Sequence, residues 1–333
     1  MTRMPIFLSE QDVQQLLDHG SVLRIVEDTL KAISAGQVVT GTRSDLLIDD
    51  LDGQRFMGAN MACIKPCSVA GVKLFTTCDG NRARDLPRVP ATIVACDSVT
   101  GVLAGVVEAT SLTAVRTAAL ATAALRPCIS QRPRKAAVIG YGAIGRVGAR
   151  YLRDEFGVER IAVTGRDAGR AIAELSSPAD DLQVRVEERV EQAVQDADII
   201  ITALGLSKDG PIVKKDWIKP DATICALGSY QEIESSIILS ADRIFVDNWE
   251  ASKHRGNLAP LIARGEIGRD NITGEVAELV AGRCAGRRST GDRIAIVLVG
   301  LVALDIALAA QALELARERH VGLNLSQTAT QHL

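Results

Sequence analysis

The sequence predicts an α/β fold, a doubly wound parallel sheet accompanied by a second, β-rich domain. Three observations predict it. Lys135–Leu152 reads as a short apolar strand, a glycine-rich turn and a helix with apolar residues at helical spacing. From Arg134 to Asp247 apolar runs alternate with helical segments, the pattern of parallel strands joined by crossover helices. Upstream, Val38–Thr113 holds short strand-like runs separated by turn clusters.

In chain order, Ser9–Ala35 reads as an opening helix pair. Ser9 followed by Asp12 is a fitting N-cap. Val13, Leu16 and Leu17 form one apolar face, Val22, Ile25, Val26, Leu30 and Ile33 a second, and Gly36 is a stop. In the β-rich block the expected strands are Leu46–Ile48, Arg55–Met57, Gly71–Leu74, Ala91–Cys96 and Val102–Val107, with turns at Asp49–Gly53, Cys78–Arg84 and Asp97–Gly101. Thr113–Leu125 is an alanine-rich helix with Arg116 in its first turns, ended by Pro127.

The central strand Ala136–Ile139 leads into Gly140, Gly142 and Gly145 at G-x-G-x-x-G spacing. Gly140 allows the tight turn, Gly142 lets the backbone approach a pyrophosphate, and Gly145 lets the helix pack on the strand. The amides that open the helix, from Ala143 and Ile144 onwards, face the phosphates with the positive dipole end. The bland alternative is a glycine turn with no ligand; the strand before and the helix after favour dinucleotide binding. The second strand, Arg160–Thr164, ends in Thr164, Gly165 and Arg166. An NAD site usually has an acid there to hold the ribose hydroxyls. Asp167 comes late, whereas Arg166 suits a 2′-phosphate or stacking on adenine. The plain reading of Arg166 is an exposed arginine opening a helix. The cofactor reading leans to NADP(H) and leaves NAD(H) open.

The remaining elements are a strand at Val184–Arg185, a helix at Val190–Ala197, a strand at Ile199–Ala203, a turn at Ser207–Pro211, a helix near Lys215–Trp217, a strand at Thr223–Leu227 and a final strand at Ile244–Val246. Ligands bind at the carboxyl ends of such strands, so Ala203–Gly205 and Leu227–Ser229, including Gly228, are placed to meet the cofactor. Trp249–Ile267, Gly274–Gly282 and the long apolar Arg293–Arg319 read as helices. The most apolar stretch, Ile294–Ala310, holds Asp305 and falls short of a membrane span.

Length and composition bound the function. The 333 residues suit two domains, at about 100–200 residues each. Apolar residues make up 47% but aromatics only 3%, so the cores are aliphatic. A net charge of −3 gives no pull towards nucleic acid or an anionic membrane. Cysteines 63, 67, 78, 96, 128, 225 and 284 form no metal-site spacing and read as buried free thiols of a reducing cytosol. Met1–Glu10 has no signal-peptide pattern, and the expected location is cytoplasmic.

Several stretches together resemble the ornithine cyclodeaminase/mu-crystallin family. They are Thr42-Arg43, Gly71-Val72-Lys73-Leu74, Asn81 with Pro87, Asp97-Ser98-Val99-Thr100-Gly101, Leu112–Ala119 around Arg116-Thr117, the glycine turn, Ala226-Leu227-Gly228-Ser229, Val246-Asp247, and Val299-Gly300 with Asp305. The resemblance implies a Rossmann domain (127–299) inserted into a β-rich α+β domain (1–126 plus 300–333) that binds substrate and forms a homodimer. It implies NAD(H) or NADP(H) acting on a small amino, imino or keto acid. It also implies that Arg43, Lys73 and Arg116 line the substrate pocket, and that Thr117 and the Val299-Gly300 turn meet the cofactor.

The residues themselves agree with that chemistry. A 2-imino acid carries a carboxylate that guanidinium groups hold bidentately. Lys73 lies in an apolar strand, where desolvation would lower its pKa and fit it for proton transfer at the imine nitrogen. The alternatives are a lysine reaching solvent, Arg116 paired with Glu108 or Asp97, and Arg43 as a plain loop arginine. Three positions depart from the family pattern: Tyr230 stands where cyclodeaminases carry an acid, Ala59 where a carboxylate would hold a distal amine, and Leu298 where a serine is usual. The first two argue against ornithine. The expected activity is reduction of an imino acid or the reverse dehydrogenation, with an ammonia lyase using bound NAD as the rival. Arg82, Arg84 and Arg88 read as a solvated basic loop, or as a clamp for a second carboxylate such as that of iminosuccinate.

Overall fold

The computed structural model describes residues 4–49, 55–177, 181–205 and 210–325, without the side chains of Asp49 and Arg82. Two compact units emerge: Met1–Arg116 with Val302–Leu333, and Thr117–Leu301. Among the described residues no helix is long and apolar enough to cross a membrane.

The first unit opens with β1 (Ile6–Leu8) and two helices, α1 (Glu10–Leu16) and α2 (His19–Ser34). Ser9 closes a capping box with Asp12, and Asp18 caps the second helix. Then come β2 (Val38–Thr40), β3 (Ser44–Asp49), β4 (Arg55–Ile64), β5 (Val69–Cys78), β6 (Ala91–Asp97), β7 (Leu103–Glu108) and the start of α3 (Thr110–Leu125), whose residues from Thr117 onwards belong to the second unit. With Leu323–Asn324 the strands make an eight-stranded mixed sheet. β4 and β5 pair over ten residues each, well beyond the short runs expected, because cross-strand pairing extends them past their most apolar cores. β1 and β2, three residues each, were not among the expected strands. Helix α3 starts one turn earlier than expected, at Thr110.

Period-two alternation gives this sheet two unlike faces. One is covered by the C-terminal helix Val302–Arg319 and by α2, around a core that includes Ile64, Ile93 and Leu30. The other shows Val39, Leu46, Met57 and Met61 to solvent; Met61 is 52% exposed.

The second unit holds β8 (Lys135–Ile139), α4 (Ala143–Phe156), β9 (Arg160–Thr164), α5 (Ala171–Leu175), β10 (Gln183–Val186), α6 (Val190–Val194), β11 (Ile199–Thr202), β12 (Thr223–Ala226), α7 (Ser235–Leu239), β13 (Arg243–Val246), α8 (Trp249–Ser252), α9 (Ala259–Ala263), β14 (Gly274–Glu275), α10 (Val276–Val280) and β15 (Ile294–Val297). The strands form one parallel sheet in the order β10-β9-β8-β11-β12-β15-β13-β14. The strand order reverses direction between β8 and β11, the switch point where such sheets bind ligands.

Four expectations differ from the structure. Ile244–Val246 is not the last strand. Ile294–Val297, expected to begin the long helix, is instead a fully buried strand inserted between β12 and β13. A short continuous apolar run has no periodicity to separate a buried strand from a buried helix. Trp249–Ile267 is two short helices, with Gly256 at φ +79 between them. Gly274–Gly282 begins as a strand pairing with β13 before turning helical. The expected turns at Asp49–Gly53 and Ser207–Pro211 lie largely outside the described residues. The cysteines are free, but only Cys128 and Cys225 are buried, and Cys67 is exposed.

Candidate active site

The first unit gathers a buried ionic cluster. Lys73 points from β5 to the helix-covered face and is 4% exposed. Its Nζ lies 2.7 Å from Asp305 Oδ1 and 2.7 Å from Thr113 Oγ1. The Thr113 hydroxyl donates to the carbonyl of Ala109, so towards Lys73 it can only accept. Arg116 follows Thr113 by three residues on α3 and so shares its face. Its Nε sits 3.2 Å from Asp305 Oδ1 and 3.1 Å from Oδ2. Asp305 is 1% exposed, the one charged residue buried in the C-terminal helix.

This cluster has two cationic side chains and one carboxylate. Burial pushes the Lys73 amine below the ordinary 10.5; Asp305 opposes that, and the Arg116 charge reinforces it. The Arg116 Nη1 group is buried with no hydrogen-bond partner among the described residues. An ammonium has three N–H donors, of which Thr113 and Asp305 take two. The cluster therefore keeps spare donors and, with Lys73 protonated, one uncompensated positive charge, which is what a carboxylate needs.

The solvent-reaching reading of Lys73 is excluded, and so are the alternative partners of Arg116. Glu108 accepts the backbone N–H of Glu10, and Asp97 accepts from Val99 and Thr100 in its own turn. Arg43 lies outside the cluster's contacts. It pairs with Asp45 at 2.8 Å and stacks 4.9 Å from the ring centroid of Phe75, two residues beyond Lys73 on the same strand face. In the strand register Asn60 lies opposite Lys73, while Ala59 lies opposite Leu74 on the other face. The position beside Lys73 is thus a neutral amide. Arg88 pairs with Asp79 at an exposed site, Arg84 is exposed, and the Arg82 side chain lies outside the described residues.

The second unit supplies the dinucleotide-type turn. Gly140 has φ +99, open to glycine at little cost, and a Cβ there would stand 2.5 Å from the Ala203 carbonyl oxygen. A Cβ at Gly145 would lie 1.9 Å from the Gly140 oxygen, so helix and turn require a hydrogen there. Gly142, the N-cap of α4, has open space where its side chain would be. The amides of Ala143, Ile144 and Gly145 open α4 without intrahelical carbonyls to bind. An open cradle over a helix N-terminus at the switch point fits a pyrophosphate. Arg166 is exposed just past β9.

Other expected cofactor positions have their amides engaged. The Ala203 N–H donates to Ile139, that of Leu227 to Thr202, and those of Val299 and Gly300 to the Asp247 carboxylate. Contacts from these residues to a cofactor would therefore come from carbonyls or side chains. Leu298 is buried, its N–H donating to Ala226. Thr117 is also buried, next to Arg116 on α3. Two residues were missed in sequence: Thr113, quoted only inside a longer motif, and Glu232, buried beneath the Leu227–Gly228 turn. The partners of Glu232 are largely backbone amides, which leave no sequence pattern.

Comparison with known proteins identifies the family and the fold. The sequence profile of the ornithine cyclodeaminase/mu-crystallin family matches residues 3–320. An alanine dehydrogenase of Archaeoglobus fulgidus is 25% identical over 322 residues, covering 95% of this chain and 97% of that protein. A solved archaeal alanine dehydrogenase dimer with bound NAD superposes with a TM-score of 0.87 at 24% identity, covering 97% of this chain and 99% of its own. The iminosuccinate reductase of Paracoccus denitrificans in complex with NAD+ gives a TM-score of 0.86 at 21% identity, with 98% and 100% covered. These likenesses to solved structures establish the fold: an α/β Rossmann-like parallel sheet with a separate mixed-sheet domain.

Proposed function

Because this chain belongs to the ornithine cyclodeaminase/mu-crystallin family, we propose that it is an NAD(P)-dependent oxidoreductase interconverting a small 2-imino acid and the corresponding amino acid. The observation that carries this reading is the buried cluster of two cationic side chains on one carboxylate, with spare donors. The Arg116 guanidinium holds the substrate carboxylate. Lys73 aims its remaining N–H at the imine nitrogen and moves the proton there, its lowered pKa bringing it nearer to neutrality. Asp305 holds both cations in place. Arg43, stacked on Phe75 two residues beyond Lys73, is the second guanidinium for the substrate carboxylate. Bound nicotinamide dinucleotide supplies or accepts the hydride at C2.

The turn at Gly140, Gly142 and Gly145 holds the pyrophosphate, and Arg166 favours a 2′-phosphate, so NADP(H) is the leading cofactor and NAD(H) remains open. The apolar sheet face with Val39, Leu46, Met57 and Met61 supports a homodimer formed through the first unit. A related alanine dehydrogenase is described as a dimer.

The test is a screen of 2-keto acids with ammonia or methylamine against both reduced cofactors, read as loss of reduced-nicotinamide absorbance. The rival reading, a cyclodeaminase, would release ammonia from ornithine with no net absorbance change. The neutral Asn60 beside Lys73 speaks against it, since a distal ammonium needs a carboxylate partner.

A further inference from the structure

Glu232 is 1% exposed and makes no ion pair among the described residues. Its carboxylate is instead surrounded by donors from two strand ends. Oε2 accepts the Thr202 hydroxyl at 2.6 Å and the Gly228 N–H at 3.0 Å, while Oε1 accepts the Leu204 N–H at 2.5 Å. Thr202 ends β11, and Gly228 lies two residues past β12. A Cβ at Gly228 would stand 2.3 Å from the Glu232 carboxyl carbon, so glycine is what admits the acid. From behind, the Asn257 side-chain oxygen accepts the N–H groups of Glu232 and Ile233 at 2.7 and 3.0 Å. The linkage continues to the dinucleotide turn, where the Ala203 carbonyl, next to Leu204, lies against Gly140.

A buried carboxylate without a cation is a costly way to tie two loops. Its ionisation then has consequences, because the ionised form accepts from all three donors most strongly and brings no hydrogen of its own among them. Once protonated, it carries an O–H that must turn towards one of them.

We propose that Glu232 is a positioning residue for the dinucleotide, its ionised carboxylate fixing the backbone at 203–205 and 227–229 so that cofactor affinity follows its protonation. This rests on the proposed cofactor site. Burial holds the carboxyl above its ordinary range, against the pull of its donors. Among the described residues, Glu232 and Asp247 both act on the Cys225 thiol, which burial pushes well above its ordinary value and so keeps neutral. Asp247 is tied to the amides of Val299 and Gly300.

The experiment is a titration of NADPH and NADH binding by calorimetry across the weakly acidic to neutral range, with thermal melting as the check on folding. Wild type should bind more weakly as pH falls. Glu232→Gln should lose about tenfold in affinity at neutral pH, the scale of a charge-assisted hydrogen bond, and should lose the pH dependence. Thr202→Val, which keeps the acid but removes one donor, should move the midpoint to higher pH. Glu232→Gln with wild-type affinity and wild-type pH dependence would overturn the proposal. Should that variant not fold, an unmoved midpoint in Thr202→Val would overturn it equally. A wild type that binds neither dinucleotide would remove the cofactor site itself, and this role with it.

Discussion

Asp305 stands between Lys73 and Arg116, and the three respond differently to removal. Asp305→Asn leaves two buried cations without a counter-charge. It should cost about 3–5 kcal/mol of stability, the usual penalty for breaking a buried ion pair, seen as a large drop in melting temperature. Lys73→Met leaves Arg116 and Asp305 balanced, so the melting temperature should hold or rise while turnover falls by about 100-fold or more. Equal turnover in this variant would remove Lys73 from the chemistry. The sign of the pH effect follows from the lowered Lys73 pKa. The unfolded chain holds this proton more tightly. The cost to stability is therefore full below the folded pKa and fades as pH rises from there towards the ordinary 10.5. In kcat/KM the same group should titrate below that ordinary value, and Arg116→Gln, which removes the charge reinforcing the shift, should move it upward. At this scale Lys73 and Arg116 were legible because their sequence contexts are specific. Their shared partner was not, since Asp305 lies 232 residues beyond Lys73 and inside an apolar helix.

The glycine turn divides fold from binding at the scale of the element. Gly142 has room for a side chain and ordinary φ, so Gly142→Ala should melt close to wild type yet bind dinucleotide about tenfold more weakly, because the methyl occupies the phosphate cradle. Gly145→Ala should lose both stability and binding, because its Cβ would overlap the Gly140 oxygen. A Gly142→Ala protein that binds dinucleotide like wild type would place the phosphates elsewhere. The strands β8, β9, β11 and β12 were legible to within about a residue or two, since buried parallel strands are continuous apolar runs bounded by turns. β15 was not, because the same kind of run leads within a few residues into an apolar helix. Its four buried residues, Ile294–Val297, belong to the sheet only through pairing with β12 and β13.

For the whole molecule, the division into an α/β unit and a mixed-sheet unit was legible from the alternation of elements and from the family resemblance. The extent of the mixed sheet was not, because strands gain residues from partners that sequence patterns do not identify. Its solvent-facing apolar side should be covered in solution by a second copy. Met61→Asp should convert a dimer to a monomer in light scattering after size exclusion; a wild-type monomer would leave that face unexplained. The proposed chemistry has Lys73 and Arg116 hold a carboxylate-bearing C=N carbon for hydride transfer. It is tested most directly by following reduced-nicotinamide absorbance with 2-keto acids and ammonia or methylamine, in wild type, Lys73→Met and Arg116→Gln. The expected result is oxidation of the reduced cofactor by wild type with at least one such pair, and loss in both variants of about 100-fold or more in kcat/KM. Oxidation that persists at the wild-type rate in either variant, or a wild type that oxidises neither reduced cofactor with any of these substrates, would contradict it.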